Sequence, residues 1–344
     1  SGRWVVAFHV LDGIGGLLVG STLMESFSTR FEHQQAEDQL SQGNMTLRPN
    51  SHGQTTLSCG PSLPKMAVDL SGRWYNQYCS QIQITTEDSG ALSGSYLSTT
   101  GGSGAFNLTG FQGTNNSSTC GVPVSIGIQW HPSNQGAETN ESKYWVSSYS
   151  GLFLPEQIIT IDGQSQRTIN ASFELLNELI PTTSQQTLPV YGQKGLAMLP
   201  ESLFFTRQAP DYCLPSNAPE PVAGCLAAPL NNVALGSWTS DLGTLTIESA
   251  DCNGLQGIFN RADGDTFLVT GLIDPNKVRT FNGETVLQSL TLALRNDDGE
   301  VMSLVGAVSK DQRNLITWDT QITSTSYEDR YTANSVSVTQ WNKL

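Results

Sequence analysis

The sequence predicts an all-β protein made of two consecutive eight-stranded antiparallel up-and-down β-barrels, with a short β-rich segment in front of them. Three observations carry this reading. Short runs rich in Val, Ile, Tyr and Trp are separated by Gly, Ser, Thr and Asn, and charged residues make up only 14% of the chain, a composition of many strands and many turns. Inside those runs apolar and polar residues alternate with a period of two. Whole blocks recur along 344 residues, a length that accommodates two cores and a connector.

The chain opens on Ser1-Gly-Arg-Trp, identical to residues 71–74, and Gly15-Gly-Leu-Leu-Val-Gly-Ser echoes a second strand. Residues 1–69 therefore read as an N-terminal segment, either a truncated repeat or an unrelated arm, with weak helical periodicity only at Phe31–Leu40. The first full block, residues 70–207, runs from Ser71-Gly-Arg-Trp-Tyr-Asn-Gln through Gly90-Ala-Leu-Ser-Gly-Ser-Tyr. Within it Val124, Ile126, Ile128 and Trp130 alternate with Ser125, Gly127, Gln129 and His131, giving one apolar and one polar face. Trp145, Ser147, Tyr149 and Gly151 share a face of the next strand. Arg167–Leu175 reads as one strand with Ile169, Ala171, Phe173 and Leu175 on one side and Asn170 on the other. Residues 208–232, with five prolines and two cysteines, form a linker in which Cys213 and Cys225 are placed to pin a loop. The second block, residues 233–344, opens with Gly236-Ser-Trp-Thr-Ser-Asp-Leu-Gly and continues with Gly254-Leu-Gln-Gly-Ile-Phe. Closing eight such strands into a barrel removes the exposed edges of an open sheet. A Trp in the first strand, Trp74 or Trp238, reads as the plug of the closed end.

Six cysteines (Cys59, Cys79, Cys120, Cys213, Cys225, Cys252) include no CxxC pair and no zinc-spaced His, which predicts three disulfides formed in an oxidising compartment. Sequons at Asn44, Asn107, Asn115, Asn116, Asn140 and Asn170 agree, and the chain reads as a secreted, extracellular glycoprotein. A formal net charge of −14 with no basic block repels nucleic acid. No apolar run of about 18 residues is present to span a membrane. His9, His33, His52 and His131 fall in no metal or triad spacing, and no Gly-rich phosphate loop opens a helix, so neither metal nor cofactor is expected. Thr100-Gly-Gly-Ser-Gly reads as a flexible loop and a candidate lid.

Over roughly Asp69 to Arg207 the first block resembles the avidin and streptavidin family. The opening Ser71-Gly-Arg-Trp-Tyr-Asn-Gln, Gly90-Ala-Leu-Ser-Gly-Ser-Tyr, the strand ending in Trp130, the strand through Trp145 and Phe204-Phe-Thr-Arg occur in the family's order. The resemblance implies an avidin-like barrel holding biotin or a biotin-like heterocycle. Asn76, Ser80 and Tyr96 would then meet a ureido oxygen, Ser98 a ureido nitrogen, and Trp130, Trp145 and Phe173 would form an aromatic wall. Three departures weaken the match: Lys143 falls where the family has a Thr, Leu203 near its terminal carboxylate or amide, and no Trp is found to reach into a neighbouring subunit. Each lost partner to a buried ligand group costs about 1–3 kcal/mol, so very tight biotin binding is not expected.

The second block matches less well, and the resemblance places Trp318 at a ligand-packing Trp. Ser240 stands for Asn76, Phe259 for Tyr96 and Arg261 for Ser98, with Arg295 at or beside the first wall Trp. An inward Arg261 must find a carboxylate or reach the mouth, so this block reads as a support or self-association domain, its sequon-free surface suited to packing on the first barrel or another chain. Three function classes follow: a secreted small-molecule binder, a cofactor-independent oxidative enzyme of luciferase type using the same donors for an oxyanion, and an extracellular structural or association protein. No catalytic residue is assigned.

Overall fold

Each barrel is assembled over the same floor. In the computed structural model of the protein the buried Trp74 donates from Nε1 to the Leu70 carbonyl at 2.9 Å, and the buried Trp238 donates to the Ala234 carbonyl at 2.8 Å. A cation covers each ring: the Arg207 guanidinium lies 3.8 Å from the Trp74 ring centroid and Lys343 Nζ 5.1 Å from that of Trp238. An indole whose one N–H is satisfied tolerates complete burial, so both tryptophans act as the plugs the sequence suggested.

The structure describes residues 56–59, 68–99, 104–113, 121–132, 146–155, 157–161, 165–169, 172–182, 195–199, 203–213, 232–250, 254–273, 280–281, 284–285, 288–308, 312–322 and 334–344. The first half holds β1 (Thr56–Cys59), β2 (Gly72–Asn76), β3 (Gln81–Thr86), β4 (Ala91–Ser98), β5 (Gly104–Gln112), β6 (Val122–Pro132), β7 (Val146–Leu154), β8 (Gln157–Ile161), β9 (Ser165–Ile169), β10 (Ser172–Thr182), β11 (Gly195–Leu199) and β12 (Leu203–Thr206). The second holds β13 (Gly236–Ser240), β14 (Gly243–Ser249), β15 (Gly254–Arg261), β16 (Thr266–Ile273), β17 (Thr280–Phe281), β18 (Glu284–Thr285), β19 (Ser289–Asn296), β20 (Val301–Val308), β21 (Asn314–Ile322) and β22 (Asn334–Lys343).

Strands β13 to β16 and β19 to β22 close into an eight-stranded antiparallel barrel, barrel B. In barrel A, β2 to β7 form a meander, and β10 pairs with both β7 and β12 while β12 pairs with β2, which curls the sheet back on itself. Strand β11 is an arm on β10. Two expectations change. The run Arg167–Leu175 is two strands in different sheets, β9 joining β8 and β1 while β10 joins the barrel. Continuous alternation concealed this break because period two carries no information about which partner a strand pairs with. Cys213 does not pin a loop with Cys225; it is bonded to Cys79. Cys120, Cys225 and Cys252, the 1–50 segment including Phe31–Leu40, and the sequons other than Asn107 lie outside the described residues.

The polar face of β6 is not solvated. Val124, Ile126 and Ile128 enter the core of barrel A as predicted, but Ser125 and Gln129 are also buried, because β5, β6 and β7 pack against β16, β19 and β20. Matching Leu92-Ser-Gly-Ser-Tyr96 to Leu255-Gln-Gly-Ile-Phe259 and following the cross-strand partners makes Thr109 equivalent to Thr270, and Ser148 to Ser303. Thr109 and Thr270 hydroxyls meet at 2.9 Å, and the hydroxyls of Ser148 and Ser303 also bond to each other. Contacts between equivalent positions indicate an approximate twofold axis, so the two barrels pair within one chain as identical subunits would.

Candidate functional site

Barrel A gathers its polar residues where β2 turns into β3 and where β4 ends. Strand β2 ends at Asn76, and the chain reverses through a turn in which Asn76 N–H donates to the Ser80 carbonyl at 2.9 Å and Cys79 N–H to the Asn76 carbonyl at 3.0 Å. The Asn76 side-chain oxygen accepts from Tyr78 N–H at 3.0 Å and Ser80 N–H at 2.8 Å. That fixes the amide's orientation: two backbone donors claim Oδ1 and leave Nδ2 as the outward donor. Asn76 is 1% exposed, and its Nδ2 has no partner among the described residues.

Ser80 is wholly buried, its hydroxyl accepting from Thr99 N–H at 3.2 Å and lying 3.2 Å from Thr99 Oγ1. Tyr96 and Ser98, two residues apart on β4, are buried on the same face. Tyr96 meets Trp130 edge to face with centroids 5.3 Å apart, and Phe106 from β5 lies 4.9 Å from the same ring. Trp130 Nε1 donates to the Ser147 hydroxyl at 2.7 Å, tying β6 to β7 at the wall. No charged residue is found among the described buried residues of this barrel, and Leu203 keeps its apolar character in the core.

The structure thus brings together Asn76, Ser80, Tyr96, Ser98 and Trp130. Trp145 and Lys143 lie outside the described residues, and Phe173 is placed only by register, opposite Phe153 and Phe205. Sequence reasoning missed Phe106, Ser147 and Thr99. For Ser147 the signal was present, since it alternates in phase with Trp145 and Tyr149; Thr99 bonds through the turn fold, which spacing does not report.

In barrel B the corresponding end is filled by the chain itself. Phe259 and Phe267 are fully buried with centroids 5.7 Å apart, and Trp341 closes edge-on at 5.7 Å from Phe259. Ser240 turns its hydroxyl to Leu242 N–H at 3.1 Å. Arg261 both reaches the mouth and finds carboxylates: Nη1 donates to Glu300 at 2.7 Å, Nη2 to Asp265 at 2.5 Å and Nε to Asp263 at 2.9 Å. The Glu300 bond foremost, then that of Asp263, raises the guanidinium's pKa against the opposing effect of burial. Asn296, paired with Phe267 where Trp130 stacks on Phe106, accepts from Glu300 N–H at 2.8 Å, and Gln321 donates to Glu300 at 2.6 Å. Arg261 and Glu300 are thereby latched across the mouth.

The side chain of Trp318 lies outside the described residues. In β21 the side chains that reach the interior are Thr317 and Asp319, both buried, with Trp341 Nε1 donating to Thr317 Oγ1 at 2.9 Å. Trp341, one strand on, is fully buried.

Residues 64–152, which carry β2 to β6, most of β7 and the described polar and aromatic site residues, match the sequence profile of the Avidin family. No curated protein matches the chain closely enough to count as a relative. The family profile falls on the strands that build this site, so the first barrel is avidin-like over residues 64–152, and both barrels close with eight antiparallel strands.

Proposed function

We propose that barrel A holds the uncharged ring of a small heterocycle through a carbonyl group, biotin or a biotin-like cyclic urea, and that barrel B binds no such ligand. The observation that carries the proposal is the Asn76 amide: a buried Nδ2 without a partner, in a barrel end lined by Tyr96, Trp130 and Phe106. An unsatisfied buried donor costs about 1–3 kcal/mol, and a ligand carbonyl removes that cost on binding. Neutrality of the bound ring follows from the absence of charge among the described buried residues of this barrel. The alternation of a flat aromatic wall with one to three placed donors suits a planar ring carrying polar atoms at its edge.

We further infer that the protein is secreted. A disulfide linking Cys79 to Cys213, together with the sequons, suits an oxidising route. Asn107 is the one described sequon Asn; it is half-buried on β5, two residues from the Thr109 contact with barrel B, so the glycans are assigned to the other sequons first.

Mass spectrometry of small molecules released from natively purified protein tests the reading without assuming a ligand. The expected result is a stoichiometric heterocycle carrying a carbonyl, retained by the unaltered chain and lost from Asn76→Ala, which stays folded at a lower thermal midpoint because the Tyr78 and Ser80 N–H groups lose Oδ1. Retention of the same molecule by Asn76→Ala would remove the basis for the assignment.

A further inference from the structure

The turn that carries Asn76 and Ser80 is anchored at each of its inner positions. Phe204 N–H at the entry to β12 lies 3.0 Å from Gln77 Oε1, to which it donates, and Tyr212 Oη donates to the Gln77 carbonyl at 2.8 Å. Thr99 Oγ1 donates to the Tyr78 carbonyl at 2.6 Å. Cys79 is held covalently by Cys213, 134 residues further on. Its φ of 64° lies in the left-handed region, which a side chain other than glycine enters at a cost and keeps only when its surroundings enforce it. The segment that supplies Tyr212 and Cys213 follows β12 directly and itself folds back through Cys213 N–H to the Pro210 carbonyl at 2.9 Å. What the sequence presents as the start of a linker is a strap laid along the turn.

We propose that the Cys79–Cys213 disulfide and the strap that bears it are positioning elements of the barrel A site. Their task is to hold the backbone N–H groups of Tyr78 and Ser80 on Asn76 Oδ1, so that Nδ2 is presented to the ligand. Cys79 touches no ligand in this scheme; it fixes the turn whose two ends do. The consequence is specific: opening the disulfide frees the Asn76 amide to rotate, and the donor that meets the carbonyl loses its orientation while the barrel wall stays in place. This rests on the reading of barrel A as a ligand site, but the clamp has a signature that needs no ligand.

Hydrogen exchange of the full-length chain, resolved to single amides, is compared between the unaltered protein and Cys79→Ser/Cys213→Ser. The clamp predicts exchange at least ten-fold faster at Tyr78 and Ser80, with Ile82 and Ile84 in β3 and the amides of barrel B unchanged. Titration with biotin should show affinity reduced at least ten-fold in the same variant. Tyr212→Phe, at a residue 63% exposed and therefore harmless to folding, should give a smaller change in the same amides. Unchanged protection at Tyr78 and Ser80, or acceleration spread evenly over barrel A, would overturn the proposal and leave the disulfide a general stabiliser. A local exchange response in a protein that takes up no biotin would sustain the clamp and count against the ligand reading.

Discussion

Asp319 shows how a single residue in barrel B departs from what its sequence neighbourhood suggests. In the alternating strand Asn314–Ile322 an Asp reads as solvent-facing, yet this one is 2% exposed. Burial pushes its carboxyl up from 3.8 to about 6, against the opposing effect of the hydroxyl bonds donated by Thr317 and Thr339. The folded chain therefore holds this proton at pH values where the unfolded chain has released it. Below about pH 4 both states are protonated, and between about 4 and 6 the stability contributed by this group is lost as pH rises, on the order of 3 kcal/mol in all. Denaturant unfolding across that interval should show stability falling with pH in the unaltered protein and a flatter profile in Asp319→Asn. An identical profile in the variant would show that the slope arises elsewhere. Arg261 differs in this respect, since the requirement that an inward Arg find carboxylates at the mouth followed from charge burial alone. Of its partners, Asp263 and Asp265 follow it directly in the β15–β16 turn, whereas Glu300, from the β19–β20 turn, becomes visible only once the register is known.

At the scale of strands, β6 and β7 each serve two barrels with their two faces. Trp130 and Ser147 meet inside barrel A, while Gln129 donates from Nε2 to the Ile273 carbonyl at 2.6 Å and Ser148 bonds to Ser303 across the seam. The alternation was legible in the sequence, and it placed Val124, Ile126 and Ile128 correctly in the core. That the polar face is covered was not legible, because a Ser, Gly and Gln face looks the same whether water or another sheet lies on it. Gly127 marks the difference: a Cβ there would stand 2.7 Å from Thr291 Cγ2 of β19. The break after β9 was hidden for a related reason, since a period of two does not report which partner a strand pairs with. The seam also leaves polar atoms unused, among them Thr291 Oγ1, which is buried without a partner among the described residues. Replacing an unsatisfied buried hydroxyl by a methyl of the same shape removes its desolvation cost. Thr291→Val should accordingly stabilise the chain by about 1 kcal/mol, read as a higher denaturation midpoint at constant slope; a lower midpoint would mean that this hydroxyl is satisfied in solution.

Over the whole molecule the two barrels share plugs, strand order and mutual contacts, and differ where a ligand would sit. Trp74 and Trp238 make the same bond to the residue four positions earlier, and the equivalent pairs Thr109 with Thr270 and Ser148 with Ser303 meet about the approximate twofold axis. Arg295 adds an asymmetric tie, donating to the Ser89 carbonyl of barrel A at 2.7 Å. Against this shared frame, Asn76, Tyr96 and Ser98 become Ser240, Phe259 and Arg261, and the open donor of barrel A is answered in barrel B by the latch of Arg261 on Glu300. The repeated openings made the duplication readable from sequence, as did the substitutions at the site. The pairing of the barrels with each other was not readable, because it depends on outer faces whose residues are short, polar and unremarkable in composition. Two barrels paired about a twofold axis but unlike in their interiors predict one ligand for each chain. Isothermal titration of the full-length protein with biotin measures that number directly: one saturable equivalent per chain is expected, abolished by Asn76→Ala with Tyr96→Phe and unchanged by Ser240→Ala, whereas two equivalents, or binding that survives the loss of Asn76 and the Tyr96 hydroxyl, would contradict it.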